Sequence, residues 1–189
     1  MMKPTLGFAL TGSFCTIRRA LELIEELQKE YRIVPIVSET VARTDTRFIP
    51  ARETLETLEK LCGMPPLCSI PACEPIGPQK MLDLLAVCPC TGNTLSKIAR
   101  GVTDTSVTMA VKAHRRNRRP VILGLSTNDA LSGSAPALGE LLSRDGFYFV
   151  PFGQDDPAGK PASLLCRFDL LADTLRAARS GRQLQPLLA

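Results

Sequence analysis

Five short, almost wholly apolar runs alternate along this 189-residue chain with segments whose apolar residues recur at helical spacing. The runs fall at residues 6–10, 33–37, 81–87, 120–125 and 147–151. A strand with one wet face alternates polar and apolar residues; a strand covered on both faces reads as nearly continuous Val, Ile and Leu. Between the first two runs, Ile17, Ala20, Leu21, Ile24 and Leu27 mark one face of a helix, with charged residues between them. Leu55, Leu58 and Leu61 mark a second stripe after Pro50, a residue suited to a helix start. Further helices are predicted around 93–100, 105–117 and 137–142, and a last one over 164–175, launched by Pro161. Residues 63–78, rich in Pro, Gly and Cys, read as an irregular connection. The expected fold is α/β: a three-layer, Rossmann-like or flavodoxin-like domain with a mostly parallel sheet. One domain spans 1–189, with a loosely packed tail at 181–189; strand order is not legible.

A chain of this length buries a substantial core without disulfide or metal staples. Its 23 Lys and Arg against 19 Asp and Glu give a net charge of +4, a slight bias toward an anionic ligand and no argument for nucleic acid. With no Trp and two Tyr, a base-stacking platform is not expected either. The first apolar run is too short for a signal peptide and none is long enough to span a bilayer, so the expectation is a cytoplasmic protein without membrane contact. Seven cysteines without an export signal are expected to be reduced. Cys62, Cys68, Cys73, Cys88 and Cys90 show no paired spacing and the single histidine, His114, is remote, so no metal site is expected. The basic run at 112–119 reads as the cationic end of a helix, with His114 at the surface.

Four strand ends carry small polar residues: Thr11, Gly12 and Ser13; Ser38, Glu39 and Thr40; Thr91, Gly92, Asn93 and Thr94; Ser126, Thr127 and Asn128. Each alone is ordinary turn chemistry. In a parallel sheet all four share one rim, where ligands of such sheets bind, and together they predict a shared site. The stretch 88–104 is the most telling. An apolar strand feeds the turn at 91–94 and then a helix with Leu95, Lys97 and Ile98, where free amides and the helix dipole attract phosphate. This reads as a nucleotide or flavin cradle. Residues 7–16 match neither the three-glycine dinucleotide pattern nor the phosphate loop ending in Gly-Lys-Ser/Thr, so a mononucleotide such as FMN suits the short loop better. Lys97 is either a partner for phosphate or carboxylate or a solvated helix lysine. Cys15 is either a thiolate favoured by helix-start amides or a small apolar residue packed under the loop. Asp155 and Asp156 read as a solvated turn, as substrate contacts, or as a docking loop.

The segments GFALTGS (7–13), TDTRF (44–48), PCTGNTLSK (89–97), GLSTNDAL (124–131) and VPFGQDDP (150–157) resemble the B subunits of bacterial dipicolinate synthases. The first three are shared with a wider flavoprotein family that includes phosphopantothenoylcysteine decarboxylase and flavin prenyltransferase. The resemblance spans roughly residues 6–175. It implies an oxidoreductase component that acts with the nicotinamide-dependent A subunit of dipicolinate synthase to oxidise a dihydrodipicolinate-level precursor during sporulation. It also implies FMN in this chain, NAD(P) on the partner, a small dicarboxylate substrate and a homo-oligomer. By the same resemblance Thr11, Gly12, Ser13, Pro89, Thr91, Gly92, Asn93, Thr94 and Lys97 line the flavin, with Ser126, Thr127 and Asn128 beside it. No catalytic residue is assigned. The decarboxylases place a catalytic His where this chain reads Cys73, Glu74 and Pro75. That departure counts against an FMN decarboxylase and leaves an oxidoreductase component or a non-catalytic scaffold.

Overall fold

The computed structural model describes residues 3–188. Its strands are β1 (Thr5–Leu10), β2 (Arg32–Val37), β3 (Leu84–Cys90), β4 (Val121–Thr127), β5 (Phe147–Phe149), β6 (Phe152–Gly153) and β7 (Leu164–Cys166). Its helices are α1 (Ile17–Leu27), α2 (Glu39–Arg43), α3 (Ala51–Cys62), α4 (Ile70–Cys73), α5 (Gly92–Arg100), α6 (Ser106–Arg115), α7 (Ala135–Leu142) and α8 (Leu171–Arg179). The apolar runs become strands because helices cover them. Every residue of β1 and β3 is buried, and Ile17, Ala20, Ile24, Leu171 and Leu175 pack against them with no exposed surface. Strands β2, β1, β3, β4 and β5 lie side by side and all run the same way. The expected three-layer α/β fold with a mostly parallel sheet is the one observed. No helix among the described residues is long and apolar enough to cross a membrane.

Beyond Leu123, β4 outruns the three-residue β5, and its bare edge is used. Ser126 and Thr127 pair antiparallel with Leu165 and Leu164 of β7, which in turn carries β6. The predicted helix over 164–175 is therefore wrong in its first half. Leu164–Cys166 is a strand that satisfies an exposed sheet edge, and the helix begins only at Leu171, so Pro161 launches nothing. The third strand is also displaced from 81–87 to Leu84–Cys90, because Asp83 closes the strand start by accepting from Thr5 N at 2.8 Å. Residues 63–78 contain the short helix α4, and Leu67 bonds to the outer edge of β2 at both Pro35 O and Val37 N. Of the tail expected at 181–189, residue 189 lies outside the described residues, and others make specific bonds. Gln183 bonds to Phe149 N and O at 2.7 and 2.6 Å, and Phe152 N donates to Leu187 O at 3.0 Å, while Leu188 stays 73% exposed.

His114 is not at the surface. It is 1% exposed on the inner face of α6, and its Nε2 donates to Pro120 O at 3.0 Å. Burial pushes its pKa down from 6.5 to about 4, opposed by the Pro120 carbonyl and reinforced by Arg119 and Arg115. The unfolded chain takes up this proton below about 6.5 and the folded chain only below about 4. Stability is therefore full above the higher value, falls as pH drops through the interval, and levels off below it. The expected loss is roughly 3 kcal/mol. Urea titrations from pH 7.5 to 4.5 should show it in the parent chain and a much shallower fall in His114→Gln; parallel curves would contradict the assignment.

Candidate functional site

Because β1, β3 and β4 run in parallel, their carboxyl ends meet at one edge, and a cavity of about 380 Å3 opens there. That volume lies within the roughly 300–1,000 Å3 of small-molecule pockets. Of the residues singled out from the sequence, Gly12, Ser13, Thr91, Ser126, Thr127 and Asn128 line it. The first and last loops touch directly: Ser13 Oγ and Ser126 Oγ are 2.7 Å apart, with Thr16 Oγ1 at 3.5 Å from the same Ser126 oxygen. Thr11 is buried instead. Its hydroxyl donates to Pro89 O at 2.8 Å and accepts from Thr91 N at 3.0 Å, which ties the end of β1 to the end of β3. Pro89 lies inside β3 and serves that link through its carbonyl.

The α5 start, which the sequence marks as the cradle, is served by the protein's own groups. Thr91 Oγ1 accepts from Thr94 N. The carboxylate of Asp129 lies over Gly92, held by the hydroxyls of Thr127 at 2.5 Å and Ser134 at 2.9 Å. A Cβ on Gly92 would fall 2.3 Å from Asp129 Oδ1 and 2.4 Å from Ser134 Oγ, so this glycine is demanded by internal packing. Asn93 is exposed, and Thr94 is buried in the cap. Lys97 is not near the helix start: it stands in the last turn and pairs with Asp104 at 2.9 Å. Gly92, Asn93, Thr94 and Lys97 thus stay out of the cavity wall.

The β2 end is likewise committed. Ser38 caps α2, and Glu39 accepts from Ser106 N at 2.9 Å at the start of α6. The α1 entry differs. Neither Ser13 nor Thr16 caps it with a side chain, and a Cβ on Gly12 would meet only Thr40 Cγ2 at 3.6 Å and Phe14 Cε2 at 3.7 Å, ordinary contacts. Nothing in the protein's packing requires glycine there, and the bare backbone faces the cavity.

The remaining wall includes residues to which the sequence reading gave no site role: Phe14, Thr16, Phe48, Lys160, Ser163, Leu164 and Leu165. The last two were hidden by the helix assigned to 164–175, although the short apolar run after a Pro- and Gly-rich turn fits a strand. Asp155 belongs to the wall, accepting from Ser163 Oγ at 2.8 Å and pairing with Lys160 at 3.3 Å. The Ser163 hydroxyl, more than Lys160, holds it below the usual carboxylate range. Asp156 shapes the turn, accepting from Gly159 N at 2.9 Å.

Cys15 is exposed on the cavity wall, not packed beneath the loop. Cys73, Cys88, Cys90 and Cys166 are buried; burial lifts the Cys73 thiol to about 12, and Cys88 and Cys90 are also raised. His114, on α6, stands outside the wall. A larger cleft of about 1130 Å3 opens at the opposite edge, among the strand starts Thr5, Arg32 and Leu84, away from the loops that carry the hydroxyls. The rim cavity therefore offers hydroxyls, open backbone at a helix entry, and two phenyl rings.

Residues 1–134 match the family described as flavoprotein, and the chain belongs to it. Within that family it is 45% identical, over 97% of its own length and 92% of the other's, to the dipicolinate synthase B subunit of Bacillus subtilis (strain 168). The crystal structure of the dipicolinate synthase B subunit from Bacillus halodurans superposes with a TM-score of 0.90 at 40% identity, covering 100% of this chain and 98% of that one. An FMN-dependent cysteine decarboxylase shares the fold, with a TM-score of 0.69 at 19% identity over 94% of this chain and 97% of that one.

Gly92→Ala must push the Asp129 carboxylate out of its seat. The expected loss is about 2 kcal/mol, a fall in melting temperature of roughly 4–8 °C, measured by thermal denaturation; an unchanged midpoint would show that the loop gives way freely.

Proposed function

We propose that this chain is the B-type component of a dipicolinate-forming oxidoreductase, cytoplasmic and homo-oligomeric, working with a nicotinamide-dependent A-type partner. The rim cavity is its ligand site. One observation carries the flavin part of this reading: the α1 entry is the open helix start at the cavity, with bare backbone at Gly12 and the Ser13–Ser126 hydroxyl pair beside it. Amides and hydroxyls at a helix start suit a phosphate. The phenyl ring of Phe14 and the side chains of Leu164 and Leu165 suit a flat aromatic ring, so FMN fits the residues present.

Flavin, when bound, supplies an acceptor for a hydride and a proton. Making the pyridine ring of dipicolinate from a dihydro precursor removes two hydrogens, one as hydride and one as a proton. The residues here bind and orient. Thr16 Oγ1 donates to Ser13 O at 2.9 Å, so the free donor of this corner is the hydroxyl of the Ser13–Ser126 pair that does not donate to the other, able to reach an anionic oxygen. Asp155 fixes Lys160 and Ser163 in the wall. A histidine-based decarboxylation finds no base, since the one histidine is buried against Pro120 and outside the wall.

The test is an FMN titration of the purified chain, followed by visible absorbance. The expected result is saturable binding that Ser126→Leu, which fills the hydroxyl corner, weakens by about tenfold or more. Turnover of a dihydrodipicolinate-level substrate should then require the A-type partner. A chain that never binds FMN loses the flavin reading; turnover without the partner would remove the division of labour.

A further inference from the structure

The segment TDTRF at 44–48 is part of no strand or helix, yet it is tightly built. Thr46 Oγ1 donates to Ile49 O at 3.1 Å and accepts from Phe48 N and Ile49 N, both at 3.3 Å. Asp45 Oδ1 accepts from Ala51 N at 2.8 Å at the start of α3. From the other side Arg18 Nε donates to Phe48 O at 3.1 Å while its NH1 pairs with Glu53. These bonds set Phe48 in the cavity wall although it is 40% exposed. The Arg47 guanidinium lies 4.9 Å from the centroid of that ring.

Charge at the cavity is otherwise balanced. Lys160 is paired with Asp155, and Arg18 with Glu53. Arg47 has no carboxylate within ion-pair distance among the described residues. It is a cation parked on an aromatic face at the edge of a site whose own wall is neutral. Stacking holds a guanidinium in place while leaving its forked N–H edge free, and that edge matches a carboxylate.

Resting on the reading above, we propose that Arg47 is the residue that selects a dicarboxylate: it pairs with one carboxylate of a planar aromatic diacid whose ring lies along Phe48. The hydroxyl cluster at Ser13 and Ser126 is left for the other anionic group in the cavity. A monoacid of the same ring would keep the stacking and lose the ion pair.

The test compares the full chain with Arg47→Gln, an exposed substitution that leaves the turn's hydrogen bonds in place. Pyridine-2,6-dicarboxylate and pyridine-2-carboxylate are titrated by calorimetry in the presence of FMN, and FMN itself by visible absorbance. The parent should prefer the diacid over the monoacid by about tenfold or more, and Arg47→Gln should abolish that preference while binding FMN as the parent does. Diacid affinity equal in parent and variant would overturn the proposal and leave the flavin reading standing. Loss of FMN affinity with diacid affinity intact would give the guanidinium to the flavin phosphate, which also overturns it. A parent that ignores the diacid sinks it outright. Arg47-dependent diacid binding in a chain that never takes up FMN would support it and remove the flavin reading alone.

Discussion

Five neighbouring strands running the same way leave the chain little choice about where its polar groups go. The strands β1, β3 and β4 are buried along almost their whole length, so serine, threonine and asparagine can reach solvent only at their ends. Parallel order gathers one set of ends, from β1, β3 and β4, at a single edge. Thr11 then stitches two of them together, bonding to Pro89 O and Thr91 N, so that the loops are registered to each other as well as to the sheet. Ser13 and Ser126, 113 positions apart in sequence, meet at 2.7 Å as a result.

What separates the helix entries at that edge is whether the protein has already satisfied them. The α5 entry is capped by Thr91, the α6 entry by Thr105 and Glu39, and the α2 entry by Ser38. An orphan amide buried without a partner is costly, and a helix start attracts negative charge. Side chains of this chain meet that demand at three entries; at α1, and at α7 after β4, none caps the helix, and of these two only the α1 entry lines the cavity. The neutral wall and the open α1 entry together point a guest's anionic group to one place.

The fold was legible because burial writes itself into composition: runs such as 33–37 and 120–125 admit one reading. The convergence of the loops followed from that, since parallel strands share a rim. Three things were not legible. Residues 164–166 spell equally well the start of an amphipathic helix or a short strand, and the bare edge of β4, a tertiary fact, decides between them. The basic run around His114 looked solvated, yet the histidine sits on the inward side of α6, which a local charge count cannot reveal. The 91–94 turn has the chemistry of an anion cradle, and only three dimensions show that the carboxylate of Asp129, thirty-seven positions after Gly92, is seated against that glycine.

The distribution of thiols has a practical side. Four of the seven sulfurs are sealed in the core, and Cys62 and Cys68 are half-buried and held in the protonated form. Cys15 alone is exposed, and it stands on the wall of the rim cavity. An alkylating dye would therefore address chiefly one sulfur, and the rate of its attachment would read out, without engineering, whether the neighbouring space is filled.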